Sequence, residues 1–505
     1  MIFERCVRPR HAKPAFEAPT VVGSGPQFAA PAAMASGPQL VQLFNAKLVT
    51  SDDGLVDGDL WMLGSTIVNP RSHFWDRTHA KAADRRVDCQ GMLLAPGMID
   101  IMLYSAFGIN FSQCGEAGAA AEAKVAADFA MVRRRLPELG VTSFCPAVRA
   151  CAPDVCARTI ERLAKTALPP PPTGDGPRPD DEGTWAQCLG VHLDGPFLSA
   201  EHAASAGAPL EFVLASLEGA ALDQACGGEA TRAALMTLAP ELPGALAAIK
   251  RLTAAGVVVG IGRTAATLAQ SYEAIAAGAR LVTHVMSSMP AFKHRDPGPV
   301  GLLANGRQAT SQVANGQAAQ PQPLIRSPTG GHLYSGETFF SLVVSNLHSC
   351  TVNLAYDSNP RGLILLSDLT PKDAKGSGHA KGGGHAEGSG HAEGTHSNDS
   401  KAEGAATWSD GDAGVRETRG AIPHCARQLC MQTGSRDPAA AILCGSAHPA
   451  RLLHLPHKGR LTAGADADLV LLDPKDLSVR ACYVSGRLAF SHPQFQAPFG
   501  MSREL

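Results

Sequence analysis

The residues best suited to chemistry gather in one stretch, VTHVMSSMPAFKHRDPGPVG, at positions 282–301. The preceding GARL makes its start a short apolar strand, GARLVTHV, that runs into a loop. His284 falls where that strand ends, and Lys293, His294, Arg295 and Asp296 crowd the loop behind it. A histidine at a strand end with basic residues downstream suits a metal or an anionic substrate. The plainer alternative is a solvated loop beside a satisfied core histidine.

Such a residue needs elements that hold it in place. LGVTSFCP (139–146), CLGVHLDGPFLS (188–199), MTLAPE (236–241), GVVVGIG (256–262), residues 342–346 and GLILLSD (362–368) all read as apolar strands. An Ala-rich helix is expected over 118–136, and an Ala- and Leu-rich one between the third and fourth of these strands. Strands alternating with helices indicate an α/β class and a parallel sheet, and at this length a (β/α)8 barrel. Before it, residues 40–68 alternate apolar and polar side chains between Gly and Asp turns, as a small β-sandwich would. Short strands return late, in GRLTAGADADLVLLD (459–473). The expected layout is an N-terminal extension over 1–37, a discontinuous sandwich from 38–95 and 458–495, and a barrel over 96–457. Low-complexity insertions interrupt that barrel near 169–183, 305–331 and 371–415. The last contains GSGHAKGGGHAEGSGHAE, with His379, His385 and His391 at equal intervals. So much Gly and Ser builds no core, and the tract reads as a flexible insert, with adventitious metal binding as the alternative.

Composition narrows the partners. The chain has 505 residues and a formal charge of -2, which gives no electrostatic case for nucleic acid or an anionic membrane. Thirteen cysteines without paired spacings argue for free thiols in a reducing compartment, with the cytoplasm as the default. No apolar run approaches the roughly 18 residues of a membrane-spanning helix. Residues 1–37 carry arginines, yet Glu4, Glu17 and several prolines weaken a transit-peptide reading.

The stretch around His284 resembles the "THLFNAM…HHRDPG" segment of the N-acetylglucosamine-6-phosphate deacetylases, in the amidohydrolase superfamily. Other pieces agree. LLAPGMID (93–100) resembles the family's "LAPGFID", FGINFS (107–112) the second half of "QINGGFGVDFS", and GVTSFCP its "GVTSFCPT". SAHPARLL (446–453) with GADADLVLLD resembles "ASLHPAQLLGL" and "GADADFVVLD". The resemblance spans about residues 40 to 495 and implies a hydrolase that removes acetate from N-acetyl-D-glucosamine 6-phosphate. It also implies a divalent metal ion, Zn²⁺ or similar, and a small-molecule sugar phosphate as partner; a homodimer stays open.

Carried over by resemblance, the site is mixed. His284 matches one metal ligand, and Asp194 stands where "HLEGPF" has its glutamate, one carbon–carbon bond or about 1.5 Å shorter in reach. Arg263 stands where "GHS" has a ligand histidine, and a guanidinium, with no acceptor and a permanent charge, cannot ligate a cation. Asp368 matches the "LVTDA" aspartate, the general base and then acid; alone it reads equally as a helix cap. Arg295 and His348 take the phosphate-binding positions, with a salt bridge to Asp296 as the plainer use of Arg295. Ser287 and Ser288 replace an Asn-Ala pair beside the sugar, and Met102 and Tyr104 replace a glutamine and an asparagine. Three outcomes are weighed: a metal-dependent deacetylase; a silent relative binding a sugar phosphate or a protein, with Arg263 paired to Asp194; and catalysis with Arg263 as the electrophile.

Overall fold

Strands buried on both faces are mostly apolar, and eight of the nine described strands of the larger sheet follow one another as a parallel barrel. The structure is a computed structural model that describes residues 38–50, 54–70, 83–166, 184–205, 208–304, 337–367, 369, 420–435 and 437–495. The eight strands are β1 (Met98–Leu103), β2 (Val141–Arg149), β3 (His192–Asp194) and β4 (Leu235–Leu238). They continue as β5 (Val258–Ile261), β6 (Leu281–Val282), β7 (Phe339–Leu342) and β8 (Leu363–Leu365). Each pairs in parallel with the next along the chain. Residues 444 and 445 link the last strand to the first. Leu365 N donates to the Cys444 carbonyl at 3.0 Å, and Ile99 N to the Gly445 carbonyl at 2.9 Å. This is the expected α/β barrel of the TIM type.

Helices connect most of these strands. Ala119–Arg135 is Ala-rich and ends on three arginines, which favour the negative end of the helix dipole. Ala245–Ala254 lies between β4 and β5, as the sequence implies. Leu268–Ala276 starts at a capping box in which the Thr267 and Gln270 side chains satisfy each other's backbone N–H groups.

A second sheet is built from both ends of the described chain. Its strands run from Leu40–Thr50 to Leu93–Pro96 and from Leu469–Leu472 to Arg487–Ser491. The two halves join where Leu93–Pro96 pairs antiparallel with Leu469–Leu472. Leu43, Met62, Leu94, Leu469 and Tyr483 give this sheet a core of its own.

One strand differs from expectation. The strand expected over 342–346 ends at Leu342, and Val344–Asn346 is a 3-10 turn. Phe339, Phe340, Ser341 and Leu342 are all buried, whereas of residues 343–346 only Val344 is buried and Ser345 and Asn346 are exposed, so the strand takes the earlier half of the apolar run. The extension over 1–37, the insertions at 169–183, 305–331 and 371–415, and Asp368 lie outside the described residues. No helix among the described residues is long and apolar enough to cross a membrane.

Candidate functional site

Parallel strands in a barrel end on one rim, where such folds carry their chemistry. Tyr104 follows β1, Asp194 ends β3, Arg263 lies two residues past β5, and His284 two past β6. Gly262 permits the close approach behind Arg263, because a Cβ there would overlap the Thr283 side chain. Arg263 and His284 are both left-handed, at φ 47° and 50°, a backbone turn uncommon for such residues and found at functional sites.

These four side chains meet. Arg263 Nε donates to Asp194 Oδ2 at 2.8 Å, and Tyr104 Oη donates to the same oxygen at 2.7 Å. Arg263 Nη2 donates to Tyr104 Oη at 3.1 Å. His284 Nε2 lies 3.3 Å from Tyr104 Oη and 3.5 Å from Arg263 Nη2. The phenol's single proton goes to Asp194, so its oxygen accepts from Arg263 and can accept from His284 Nε2–H. The Tyr104 and His284 rings are near-parallel with centroids 6.5 Å apart, and the Arg149 guanidinium sits 4.8 Å over the Tyr104 ring. Asp194 Oδ1 is buried and finds no partner among the described residues.

Charge is fixed by this packing. Burial is the largest single influence and works against ionised Asp194, but the Arg263 guanidinium, His284 and the Tyr104 hydrogen bond together outweigh it, and the carboxyl is held down at about 2. Burial first, and Arg263 second, push partly buried His284 down to about 3, so it is neutral near pH 7. Burial and then the Asp194 charge raise the Tyr104 phenol, which keeps its proton.

Neighbouring residues brace the cluster. His192 Nδ1 donates to the Ile101 carbonyl at 2.7 Å and its Nε2 accepts from Thr237 Oγ1 at 2.8 Å, tying β3 to β1 and β4. Glu241, after β4, accepts from Ala265 N at 2.6 Å and from the Thr264 hydroxyl. The Arg263 carbonyl accepts from Ser199 N at 2.8 Å. Asp100 in β1 is fully buried, accepts from Met102 N at 3.1 Å, and is pushed up to about 6 by burial.

The other expected residues are more peripheral. Ser288 is buried and Ser287 exposed, in a turn where both N–H groups bond the His284 carbonyl. Arg295 is exposed and makes no ion pair among the described residues. Asp296, the alternative partner for Arg295, instead accepts from the backbone N–H groups of Leu268 at 2.9 Å and Gly298 at 3.1 Å. His348 is exposed and caps the helix Ser349–Ser358, its Nδ1 accepting from Cys350 N at 3.2 Å. In the sequence Tyr104 stands out only as the replacement of a family asparagine, yet its hydroxyl sits at the middle of the cluster. A phenol in register with a new arginine was the available signal.

A metal centre of the expected kind needs about three protein ligands and an open position. Asp194 Oδ2 is spent on two donors, Arg263 brings a permanent positive charge, and Tyr104 Oη stands between Asp194 and His284. No group of three or more His, Cys, Asp or Glu among the described residues could hold a metal ion. The described side chains do not fit a divalent cation.

No protein-family model matches the chain. It is 32% identical to the N-acetylglucosamine-6-phosphate deacetylases of Bos taurus and Homo sapiens over 456 residues, 89% of this chain and 96% of each of those proteins. Among solved structures it resembles a mutant N-acetyl-D-glucosamine-6-phosphate deacetylase from Mycobacterium smegmatis in complex with N-acetyl-D-glucosamine-6-phosphate. The TM-score is 0.60 at 21% identity, over 90% of this chain and 100% of that one. The Thermotoga maritima N-acetylglucosamine-6-phosphate deacetylase gives 0.59 at 18% identity, over 89% and 100%.

Proposed function

Because the chain belongs to the N-acetylglucosamine-6-phosphate deacetylase family, we propose that it is a hydrolase of amino-sugar catabolism acting on N-acetyl-D-glucosamine 6-phosphate. Its products are acetate and glucosamine 6-phosphate. The observation that carries this reading is the similarity over nearly the full length of those relatives. The meeting of Asp194, Arg263 and His284 on one barrel rim supports it.

The roles follow from side-chain chemistry. Arg295 and His348 hold the phosphate, Arg295 through a fork that bonds two oxygens at once. Ser287 and Ser288 line the sugar. Asp368 takes a proton from water and returns it to the departing amine. No step is assigned to a metal ion, because the residues present do not accommodate one. Polarising the amide carbonyl falls to the fixed charge of Arg263, a weaker activator of water than a metal but able to stabilise an oxyanion. The cytoplasm is the proposed setting, and the twelve described cysteines are free thiols.

One observation favours a second reading. The Arg263–Asp194 pair fills the centre with charges that satisfy each other, as in a relative that binds a sugar phosphate or a protein partner without turnover. Purified chain is incubated with N-acetylglucosamine 6-phosphate, and acetate and free amine are measured while binding is followed by calorimetry. Equal acetate and amine above a no-protein control establish the hydrolase. Binding with background acetate establishes the silent form, and neither binding nor acetate overturns both.

A further inference from the structure

We infer that Tyr104 and Arg263 together replace the cation at the centre of this barrel, so that it takes up a divalent ion only when both are removed. The inference rests on the family placement of Asp194 and His284 as former ligand positions, and not on whether the chain turns substrate over.

Three relationships carry it. The first is occupancy. Tyr104 Oη lies 2.7 Å from Asp194 Oδ2 and 3.3 Å from His284 Nε2. An ion bridging a carboxylate oxygen and an imidazole nitrogen sits about 2.0–2.2 Å from each. The phenol oxygen contacts both former ligand positions and so occupies space between them that a bridging ion would need. The second is charge. A buried carboxylate needs a positive neighbour, and Arg263 Nε supplies it at 2.8 Å with both side chains withdrawn from solvent. The third is hydrogen-bond direction. Tyr104 gives its proton to Asp194 and accepts from Arg263 Nη2, and Arg263 Nε donates to the same Asp194 oxygen, so the oxygen that would face a cation is already engaged by two donors.

Arg263 alone does not close the site. Were it replaced by histidine, Tyr104 would still donate to Asp194 and still stand between the two former ligands. Tyr104 is thus a partner in the exclusion, and its position just past β1 puts it in contact with residues 90 and 159 positions away.

The test compares zinc uptake by four full-length proteins: the natural chain, Arg263→His, Tyr104→Asn, and the double variant. Each is equilibrated with Zn²⁺, and bound metal is counted by mass spectrometry. The histidine-rich tract is present in all four, so the reading is the difference between them. The double variant gains about one equivalent, and Asp194→Asn added to it abolishes the gain, while the single variants stay at the natural level. A gain of about one equivalent by Arg263→His alone overturns the part given to Tyr104. An equivalent on the natural chain that Asp194→Asn removes overturns the whole inference, as does no gain by a double variant whose circular dichroism matches the natural chain. If that double variant misfolds, Tyr104→Phe with Arg263→His removes the oxygen and keeps the ring; uptake of part of an equivalent supports the inference, and none overturns it. The family reading is checked separately by whether N-acetylglucosamine 6-phosphate shifts the melting temperature of the natural chain.

Discussion

Arg263 Nε meets Asp194 Oδ2 at 2.8 Å with the two side chains 4% and 1% exposed, so the barrel's mouth is built around an ion pair out of reach of water. Such a pair is costly to break from one side, because the remaining charge loses its partner and cannot regain water. It is far less costly to replace as a unit.

Arg263→Met is therefore expected to destabilise the chain by about 3–5 kcal/mol. Arg263→Met combined with Asp194→Leu should recover at least about 2 kcal/mol of that loss, since no buried charge remains. Urea unfolding followed by circular dichroism measures both. A double variant as unstable as Arg263→Met alone would mean the pair is not isolated from solvent.

The pH dependence of stability separates two buried groups of opposite sign. His448 is buried, its Nδ1 donates to the Leu363 carbonyl, and burial followed by Arg451 pushes it down from 6.5 to about 3. Its folded value lies below its unfolded one, so the unfolded chain binds the extra proton as pH falls below 6.5. Folding loses about 2 kcal/mol from this residue alone by pH 5. Asp100 is raised from 3.8 to about 6, so its neutral form favours the folded chain below pH 6 and the benefit fades as pH rises through that value. Thermal melts between pH 7 and 5 should flatten in His448→Gln and steepen in Asp100→Asn. Asp194, already held at about 2, leaves this window unchanged.

Glu241 should matter through the loop it holds. Its carboxylate accepts from Ala265 N and the Thr264 hydroxyl, directly after the left-handed Arg263. Glu241→Ala is expected to cost about 2–3 kcal/mol, roughly two hydrogen bonds to a charged group with one exposed to water. It should also weaken sugar-phosphate binding without changing the selectivity for phosphate. Equal losses for phosphorylated and unphosphorylated sugar would show that the loop, and not an anion contact, has moved.

Much of the barrel was legible because buried parallel strands leave a local mark. VTSFCPAVR is buried at all but its last residue and needs no partner to be read as a strand. The β7 boundary was not legible, since FFSLVV is apolar but for Ser341 and only packing decides which half is pleated. Asp194, Arg263 and His284 stand out through their resemblance to family motifs, and the fold brings their side chains within hydrogen-bond reach of one another or of Tyr104. The part played by Tyr104 was hidden for another reason. Its three polar contacts reach residues 90, 159 and 180 positions away, and barrel closure alone sets those distances. An ion pair between Arg263 and Asp194 could be inferred from charge, but the hydroxyl that bridges it to His284 could not.

Phosphate recognition gives the clearest check on the proposed substrate, because it is independent of what occupies the centre. Arg295 is exposed and engages no acid among the described residues, and Asp296 beside it is taken up by backbone N–H groups. His348 spends Nδ1 on Cys350 N, so Nε2 carries the ring proton of the neutral form and can donate to an anion. A hydrogen bond to a charged group contributes about 1.5–3 kcal/mol, which is roughly 10–150-fold in affinity. Arg295→Ala should therefore weaken N-acetylglucosamine 6-phosphate by at least about tenfold and leave unphosphorylated N-acetylglucosamine unchanged. His348→Ala should act the same way by a smaller factor, with some loss of stability from the missing helix cap. Calorimetric titration of both sugars into both variants measures this. An Arg295→Ala chain that binds the two sugars with the natural ratio would place the phosphate elsewhere on the rim.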